Sequence, residues 1–311
     1  MSKQPLVSIV TPSLNQGRFI VGTIESVLNQ DYPNIEYLVL DGGSTDGTLQ
    51  ILRSYGSRLR YLSEPDNGQS AAINKGWKLS KGEIIAWLNS DDTYLPGAVT
   101  QVVSFFEAHP EIDAVYGDCD YIDTQGRFLR PYPTRPYDYL DLVKSMFNYI
   151  PQPATFMRRH VLETVGVLDE SLHYVMDFDY WLRLSTKHKM AYLPKRLATL
   201  RLHQSAKSVK SVSRFGPELI RTYDRLFATP DLPPEVSSIK AKAMSNIYYR
   251  AASCCFWTGD IGMARHYALR AWSYSPRNLK RSLFLIMGLG SLGSLGLAGA
   301  KKLRRMSGVE V

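Results

Sequence analysis

The feature that most constrains this chain is a strand-like run that ends in acids. Residues 84–88, Ile-Ile-Ala-Trp-Leu, are continuously apolar and follow a short polar lead-in, Gly82-Glu83. A run of this length, with β-branched residues and polar borders, predicts a buried strand over 83–88. It stops at Asn89-Ser90-Asp91-Asp92. Two adjacent carboxylates at the end of a buried strand are costly unless a cation sits beside them, and hard oxygen ligands suit Mg2+ or Mn2+. The other reading is a polar strand-to-loop turn in which Asp92 or Thr93 caps the next helix.

The same pattern, a strand and then a polar loop, recurs upstream. Residues 7–11 predict a first strand, 35–40 a second that ends at Asp41, and 59–63 a third. Helical spacing falls between them, over 18–30 (Phe19, Ile20, Ile24, Val27, Leu28) and over 69–80. Strands alternating with helices predict a largely parallel, doubly wound α/β sheet. The loops at 12–17, 41–47 and 64–70 then share one edge with Asp91 and Asp92, the edge at which such sheets bind ligands. No Gly-x-Gly-x-x-Gly opens a helix and no Walker A sequence occurs. Asp41 at a strand end suits a base N–H or a ribose hydroxyl. Asn67 and Gly68 at a helix start suit close approach to phosphate. Each also reads as ordinary turn chemistry, and Thr45 or Asp46 is placed to cap the helix that follows.

Downstream, the pattern predicts a helix over 95–110, a strand over 113–118, a turn over 120–126, a strand-like 127–130, a short helix over 137–147 and a strand within 150–158 that carries Gln152. Residues 174–186, Tyr-Val-Met-Asp-Phe-Asp-Tyr-Trp-Leu-Arg-Leu-Ser-Thr, predict a largely buried helix with two aspartates in it. A buried carboxylate must be paired, capped or functional. Asp179 and Arg183 are four apart and pair on one helix face. Asp177 has no such local partner, and reads either as a helix cap or as a functional group. A strand pair around Pro194 ends at Arg201-Leu202-His203, and with Lys207 these residues gather positive charge after the last strand.

The runs SIVTPSLNQGRFIVGTIESVLNQDYPNIEYLVLDGGSTDGT, EPDNGQSAAINKG and GEIIAWLNSDD together resemble the family 2 glycosyltransferases, over about residues 6–205. The resemblance implies a GT-A fold that binds a nucleotide-diphospho-sugar, and sugar transfer with inversion. It implies donor contacts from Thr11, Pro12, Asn15, Asp41, Asn67, Gly68, Ser70 and Lys75, with Asn89 and Asp91 in the acid loop, and a divalent metal, Mn2+ or Mg2+, held at Asp92. The family's E-D-x-D-x-W-L-R-L motif maps its catalytic base onto Asp177. Met176 stands where the motif has Glu, which removes a neighbouring negative charge and leaves burial to tune the base. Arg201, His203 and Lys207 match a loop near the diphosphate, with His203 a metal or diphosphate ligand.

Charge and cysteine usage set limits on the rest. The 311 residues carry a formal charge of +8, but residues 277–311 hold seven Lys/Arg against one acid, so six of those charges belong to the tail. The remainder is nearly neutral, which argues against a nucleic-acid-binding core. Three cysteines, Cys119, Cys254 and Cys255, offer no CxxC spacing and fit a reducing cytoplasm. No signal-peptide pattern precedes the first strand.

The expected organisation is a glycosyltransferase domain over 1–210, a helical appendage over 211–276 and a tail over 277–311. Two helices meeting at Thr258-Gly259-Asp260 resemble one tetratricopeptide unit, too little for a solenoid. Residues 282–300 are uncharged, glycine-rich and flanked by Lys and Arg, which suits peripheral attachment to an anionic inner membrane leaflet. With the family resemblance, this predicts a cytoplasmic enzyme at the inner face of a bacterial membrane, with a glycan or lipid-linked acceptor in a surface-polysaccharide pathway. Two other functions compete: a scaffold that senses nucleotide without turnover, and a sugar-1-phosphate nucleotidyltransferase. The second wants a glycine-rich basic loop after the first strand, and Thr-Pro-Ser-Leu-Asn-Gln-Gly lacks it.

Overall fold

The computed structural model describes residues 4–145, 147–204, 212–230, 232–276 and 288. These fall into two compact units: residues up to 137 together with 148–203, and residues 138–147 together with those from 204 onward.

The first unit is built on a nine-stranded sheet of order β3-β2-β1-β4-β8-β6-β9-β5, with β7 beside β6. Its strands are β1 (Val7–Ser13), β2 (Ile35–Asp41), β3 (Arg60–Ser63), β4 (Ile84–Trp87), β5 (Thr93–Tyr94), β6 (Ala114–Ile122), β7 (Phe128–Pro131), β8 (Thr155–Arg158) and β9 (Met190–Arg201). Its helices are α1 (Ile20–Leu28), α2 (Thr48–Ser54), α3 (Gln69–Leu79), α4 (Ala98–Ala108), α6 (Val161–Val165) and α7 (Met176–Ser185), while α5 (Tyr139–Lys144) belongs to the second unit. The strands β3, β2, β1 and β4 are parallel, as the alternation predicts. The other half is mixed: β8 runs antiparallel to both β4 and β6, β9 runs parallel to β6, and β5 antiparallel to β9.

Burial explains the order. Every residue of β1 and β4 is buried, the signature of central strands covered on both faces. Helix α3 approaches β1 so closely that a Cβ at Gly76 would lie 2.3 Å from a Val10 methyl, so only glycine fits there. Three tryptophans then tie α3, β4 and α7 together. Trp77 meets Trp87 edge-on with centroids 5.4 Å apart, and Trp181 stacks on Trp87 at 5.4 Å and 22°. All three side chains are fully buried. This packing fixes α7 against the strand that ends in the acid pair.

Several local expectations need correction. The turn expected at 120–126 begins later, because β6 continues to Ile122 alongside β9. The strand pair expected around Pro194 is one strand, β9. Its register with β6 jumps from Gly117–Leu193 to Asp118–Arg196. Proline lacks the N–H that a ladder position needs, so the chain bulges where Pro194 falls. Residues 152–154 form a 3-10 turn, and the strand expected within 150–158 is confined to β8. Neither Asp92 nor Thr93 caps α4, whose preceding residue is Gly97 in the left-handed region. Neither Thr45 nor Asp46 occupies the cap of α2, where Gly47 sits; Asp46 instead accepts from the Thr48 N–H at 2.9 Å.

The second unit is helical: α5, α8 (Val212–Leu226), α9 (Pro234–Ser238), α10 (Lys240–Thr258) and α11 (Ile261–Tyr274). Helices α10 and α11 meet where the sequence predicts. Gly259 closes α10 at φ 94°, and Asp260 caps α11 by accepting from the Met263 N–H at 3.1 Å. Small residues let α8 pack on α10: a Cβ at Gly216 of α8 would lie 2.8 Å from Ala251 of α10. Among the described residues, no helix is long and apolar enough to cross a membrane. The tail charges, the apolar run 282–300 apart from Gly288, and Lys207 lie outside the described residues.

Candidate active site

The carboxyl ends of β1, β2 and β4 carry the polar loops, and hydrogen bonds lock those loops to one another. Asn15 adopts φ 54° and links the first loop to the second: its N–H donates to Ser44 Oγ at 2.7 Å and its Oδ1 accepts from the Thr45 N–H at 2.8 Å. The Gly17 N–H donates to Asp46 Oδ2 at 3.0 Å. Asp41, buried at the end of β2, accepts from the Ser44 N–H at 3.0 Å and from the Ser63 hydroxyl at 2.6 Å, so it draws the third loop to the second. Thr11 is fully buried with its hydroxyl 3.1 Å from Tyr37 Oη, and Pro12 beside it is buried in β1.

The third loop enters α3 through Gly68, whose φ of 108° is closed to ordinary side chains. Asp66 Oδ1 accepts from the Gly68 N–H at 2.8 Å, and Asn67 is left exposed. Ser70 is buried, and its hydroxyl meets Met176 Sδ at 2.8 Å, joining α3 to the start of α7. Met176, in the place of the expected acid, is thus a packing contact. Lys75 pairs with Glu64.

At the end of β4 the two aspartates differ sharply. Asp92 is 3 % exposed, and both its oxygens are already engaged: Oδ1 accepts from the Arg201 N–H at 2.9 Å and Oδ2 from Asn89 Nδ2 at 3.3 Å. Burial, and after it the Asp91 charge, push the Asp92 carboxyl well above its ordinary pKa. Asp91 is the more accessible, and its Oδ2 lies 2.9 Å from His203 Nε2. The His203 ring rests against Phe19 with centroids 4.9 Å apart. Arg201 donates to the Asp91 and Asp123 carbonyls at 2.9 and 2.8 Å, which fixes the chain that carries His203. The resulting arrangement, one open carboxylate and one imidazole with donor atoms 2.9 Å apart, is a donor set that suits a divalent transition ion.

Asn89 is held by residues distant in sequence. It accepts from Gln69 Nε2 at 2.7 Å and donates to Gln152 Oε1 at 2.9 Å, while Gln152 Nε2 donates to the Trp87 carbonyl at 2.6 Å. Gln152 therefore stands directly behind the acid loop.

Asp177 lies in the first turn of α7, not at its cap, which is Val175. It accepts from the Phe178 N–H at 2.7 Å and from Asn148 Nδ2 at 3.0 Å. Burial outweighs these bonds and pushes its carboxyl up to about 6. A half-buried carboxylate that takes up a proton near neutrality is suited to general-base work. Asp179 is different: it is buried, and Oδ2 pairs with Arg183 Nε at 2.9 Å, the pair predicted by the spacing. Sequence reasoning missed Asn148 and Gln69. Gln69 lies 20 residues from Asn89 and Asn148 lies 29 residues from Asp177, separations that no local pattern spans.

The model of the family "Glycosyl transferase family 2" matches residues 8–166, about half of the chain. Chondroitin synthase of Escherichia coli is 31% identical over 216 residues, 68% of this chain and 31% of that protein. The structure of S. aureus TarS 1-349 in complex with UDP-GlcNAc superposes with a TM-score of 0.71 at 16% identity, over 97% of this chain and 92% of the other. A mannosyltransferase from Pyrobaculum calidifontis, in complex with GDP-Man and Mn2+, gives 0.61 at 15% identity, over 99% and 89%. The matched stretch spans between 15% and 65% of the length of the curated relatives considered.

Proposed function

Because the chain belongs to glycosyl transferase family 2, we propose that it transfers a sugar, with inversion, from a nucleotide-diphospho-sugar to a hydroxyl of a glycan or lipid-linked acceptor in polysaccharide synthesis. The GT-A fold provides the frame. The observation that carries the reading is the pairing of two different carboxylate environments on one scaffold. Asp91 is open and beside an imidazole, Asp177 is half-buried with a raised pKa, and the stacked Trp87 and Trp181 join the elements that bear them.

Each residue then has a task. Asp41 and the loops at 12–17 and 41–47 border the nucleoside, with Asn15 holding those loops in place. Asn67 and the N–H groups at the start of α3 face the phosphates, a role suited to a helix N-terminus. Asp91 and His203, rather than the saturated Asp92, hold a divalent cation, Mn2+ or Mg2+. Such an ion supplies Lewis-acid stabilisation of the departing diphosphate when bound. Asp92 instead fixes the loop through Asn89 and Arg201. Asp177 accepts the proton of the acceptor hydroxyl as that oxygen attacks the anomeric carbon. Arg201 orients the His203 segment, and Lys207 adds positive charge for the diphosphate. The domain expectation, a glycosyltransferase part to about residue 210 with a helical part after it, fits this division of labour. The basic tail is proposed to attach the enzyme to the inner membrane face.

A panel of nucleotide sugars tests the reading. Wild-type protein with Mn2+ releases nucleoside diphosphate from one donor class, and less or none with a chelator present. Donor binding without release from any donor, with acceptor glycans supplied, would favour the nucleotide-sensing scaffold.

A further inference from the structure

At the other edge of the sheet three potential metal ligands converge. Asp113 directly precedes β6, His188 stands two residues before β9, and His160 two residues after β8. Ala114 pairs with both Met190 and Met157, so the starts of β6 and β9 and the end of β8 lie side by side. Because β6 runs antiparallel to β8, and β8 antiparallel to β4, this is the amino edge of the sheet. Asp91 follows the opposite, carboxyl end of β4.

We propose that Asp113, His160 and His188 form a second metal site, selective for zinc-class divalent ions and separate from the catalytic edge. His160 Nε2 lies 2.8 Å from Asp113 Oδ1, and His188 Nδ1 lies 3.2 Å from Asp113 Oδ2. One donor atom from each residue falls within 4.8 Å of the other two. Ligands about 2.0–2.1 Å from a tetrahedral zinc stand about 3.3 Å from each other, so modest side-chain shifts admit the ion. Two imidazoles and one carboxylate favour zinc over magnesium or calcium, which prefer oxygen alone.

The surroundings support the ligands. His188 Nε2 contacts Thr164 Oγ1, so the ring nitrogen that faces away from Asp113 has a partner of its own, the usual support for a metal-bound histidine. The Lys189 N–H donates to Asp113 Oδ2 at 3.1 Å. His188 is 10% exposed and Asp113 19%, whereas His160 is 50% exposed, which leaves a fourth coordination position toward water. Three chain segments meet here, so the bound ion would cross-link β6, the β8–α6 turn and the α7–β9 turn. The role is structural, since the cluster lies at the edge away from Asp91.

The test uses the full chain carrying Asp91→Asn, which removes the carboxylate of the catalytic-edge site. Titration with Zn2+ against a chromophoric chelator is expected to show one bound equivalent, with Co2+ giving the visible bands of a low-coordinate nitrogen and oxygen site. Adding His160→Gln, at a half-exposed position, is expected to abolish both, as is adding His188→Gln. Far-UV circular dichroism confirms that each variant is folded. The proposal is overturned if the Asp91→Asn protein binds no Zn2+, the outcome for a purely hydrogen-bonded triad, or if binding persists unchanged in the folded His160→Gln variant.

Discussion

Asn148 donates its side-chain N–H to Asp177 Oδ2 at 3.0 Å, across 29 residues of sequence, while its own Oδ1 accepts from the Ile150 N–H at 3.1 Å. The amide is therefore oriented before any substrate binds. A hydrogen bond to the ionised form favours that form, so Asn148 opposes the upward pull of burial on Asp177.

Asn148→Ala should raise the Asp177 pKa further. In a pH profile of kcat/KM, the acidic limb should move to higher pH, and turnover at pH 6 should fall more than at pH 8. An unmoved limb would mean that Asn148 only packs.

Wild-type activity should itself rise with pH through about 6, with unit slope, as Asp177 loses its proton. The stability consequence has the opposite sign. The folded-state pKa is raised, so the native state binds more protons than the unfolded chain between about 4 and about 6, and this group's contribution falls as pH rises through that window. Asp177→Asn should therefore be neutral or stabilising at pH 7 in urea denaturation.

Asp179 should behave in the contrary way. Its pairing with Arg183 is buried on the acid side, and Arg183 also donates to the Val165 and Val167 carbonyls. Removing the carboxylate leaves a partly exposed cation without its counter-charge, a cost below the about 3–5 kcal/mol of breaking a fully buried pair because water reaches Arg183. Asp179→Ala should lower the urea midpoint clearly, and donor affinity of the folded fraction should be retained.

Trp181→Ala should cost about 3–5 kcal/mol through the cavity it leaves. It also removes the stack on Trp87 that seats α7, so kcat should fall in the protein that remains folded. Trp181→Phe should recover most of the stability.

The first half of the sheet was legible in the sequence because its central parallel strands, β1, β2 and β4, are short, largely apolar runs followed by turn residues. Ile84–Trp87 and its acids are the clearest case. The second half was harder to read for physical reasons. The β6 strand carries Asp118 and Asp120 within it, so its polarity resembles a turn, and pairing with β9 on one side and β7 on the other keeps it extended to Ile122. Candidate residues on periodic or motif-like segments, such as the Asp91-Asp92 pair and Asp177, stand out in the sequence. Two of their supports do not: Gln69 and Asn148 act through contacts that span 20 and 29 residues, and no local pattern records those. Asp91 and Asp92 differ in burial, which two adjacent aspartates do not reveal in the sequence until one of them is enclosed.

The central claim is that Asp91 serves donor and metal while Asp177 serves only the proton transfer. Calorimetric titration of a turnover-competent nucleotide sugar with Mn2+ into the wild type, Asp91→Asn and Asp177→Asn, run beside nucleoside diphosphate release, separates the two roles. Asp177→Asn should bind the donor as the wild type does and lose transfer by roughly 10²–10⁴-fold. Asp91→Asn should lose the Mn2+-dependent part of donor binding and turnover together. Wild-type transfer rates in Asp177→Asn, or unaltered Mn2+-dependent donor binding in Asp91→Asn, would contradict the assignment.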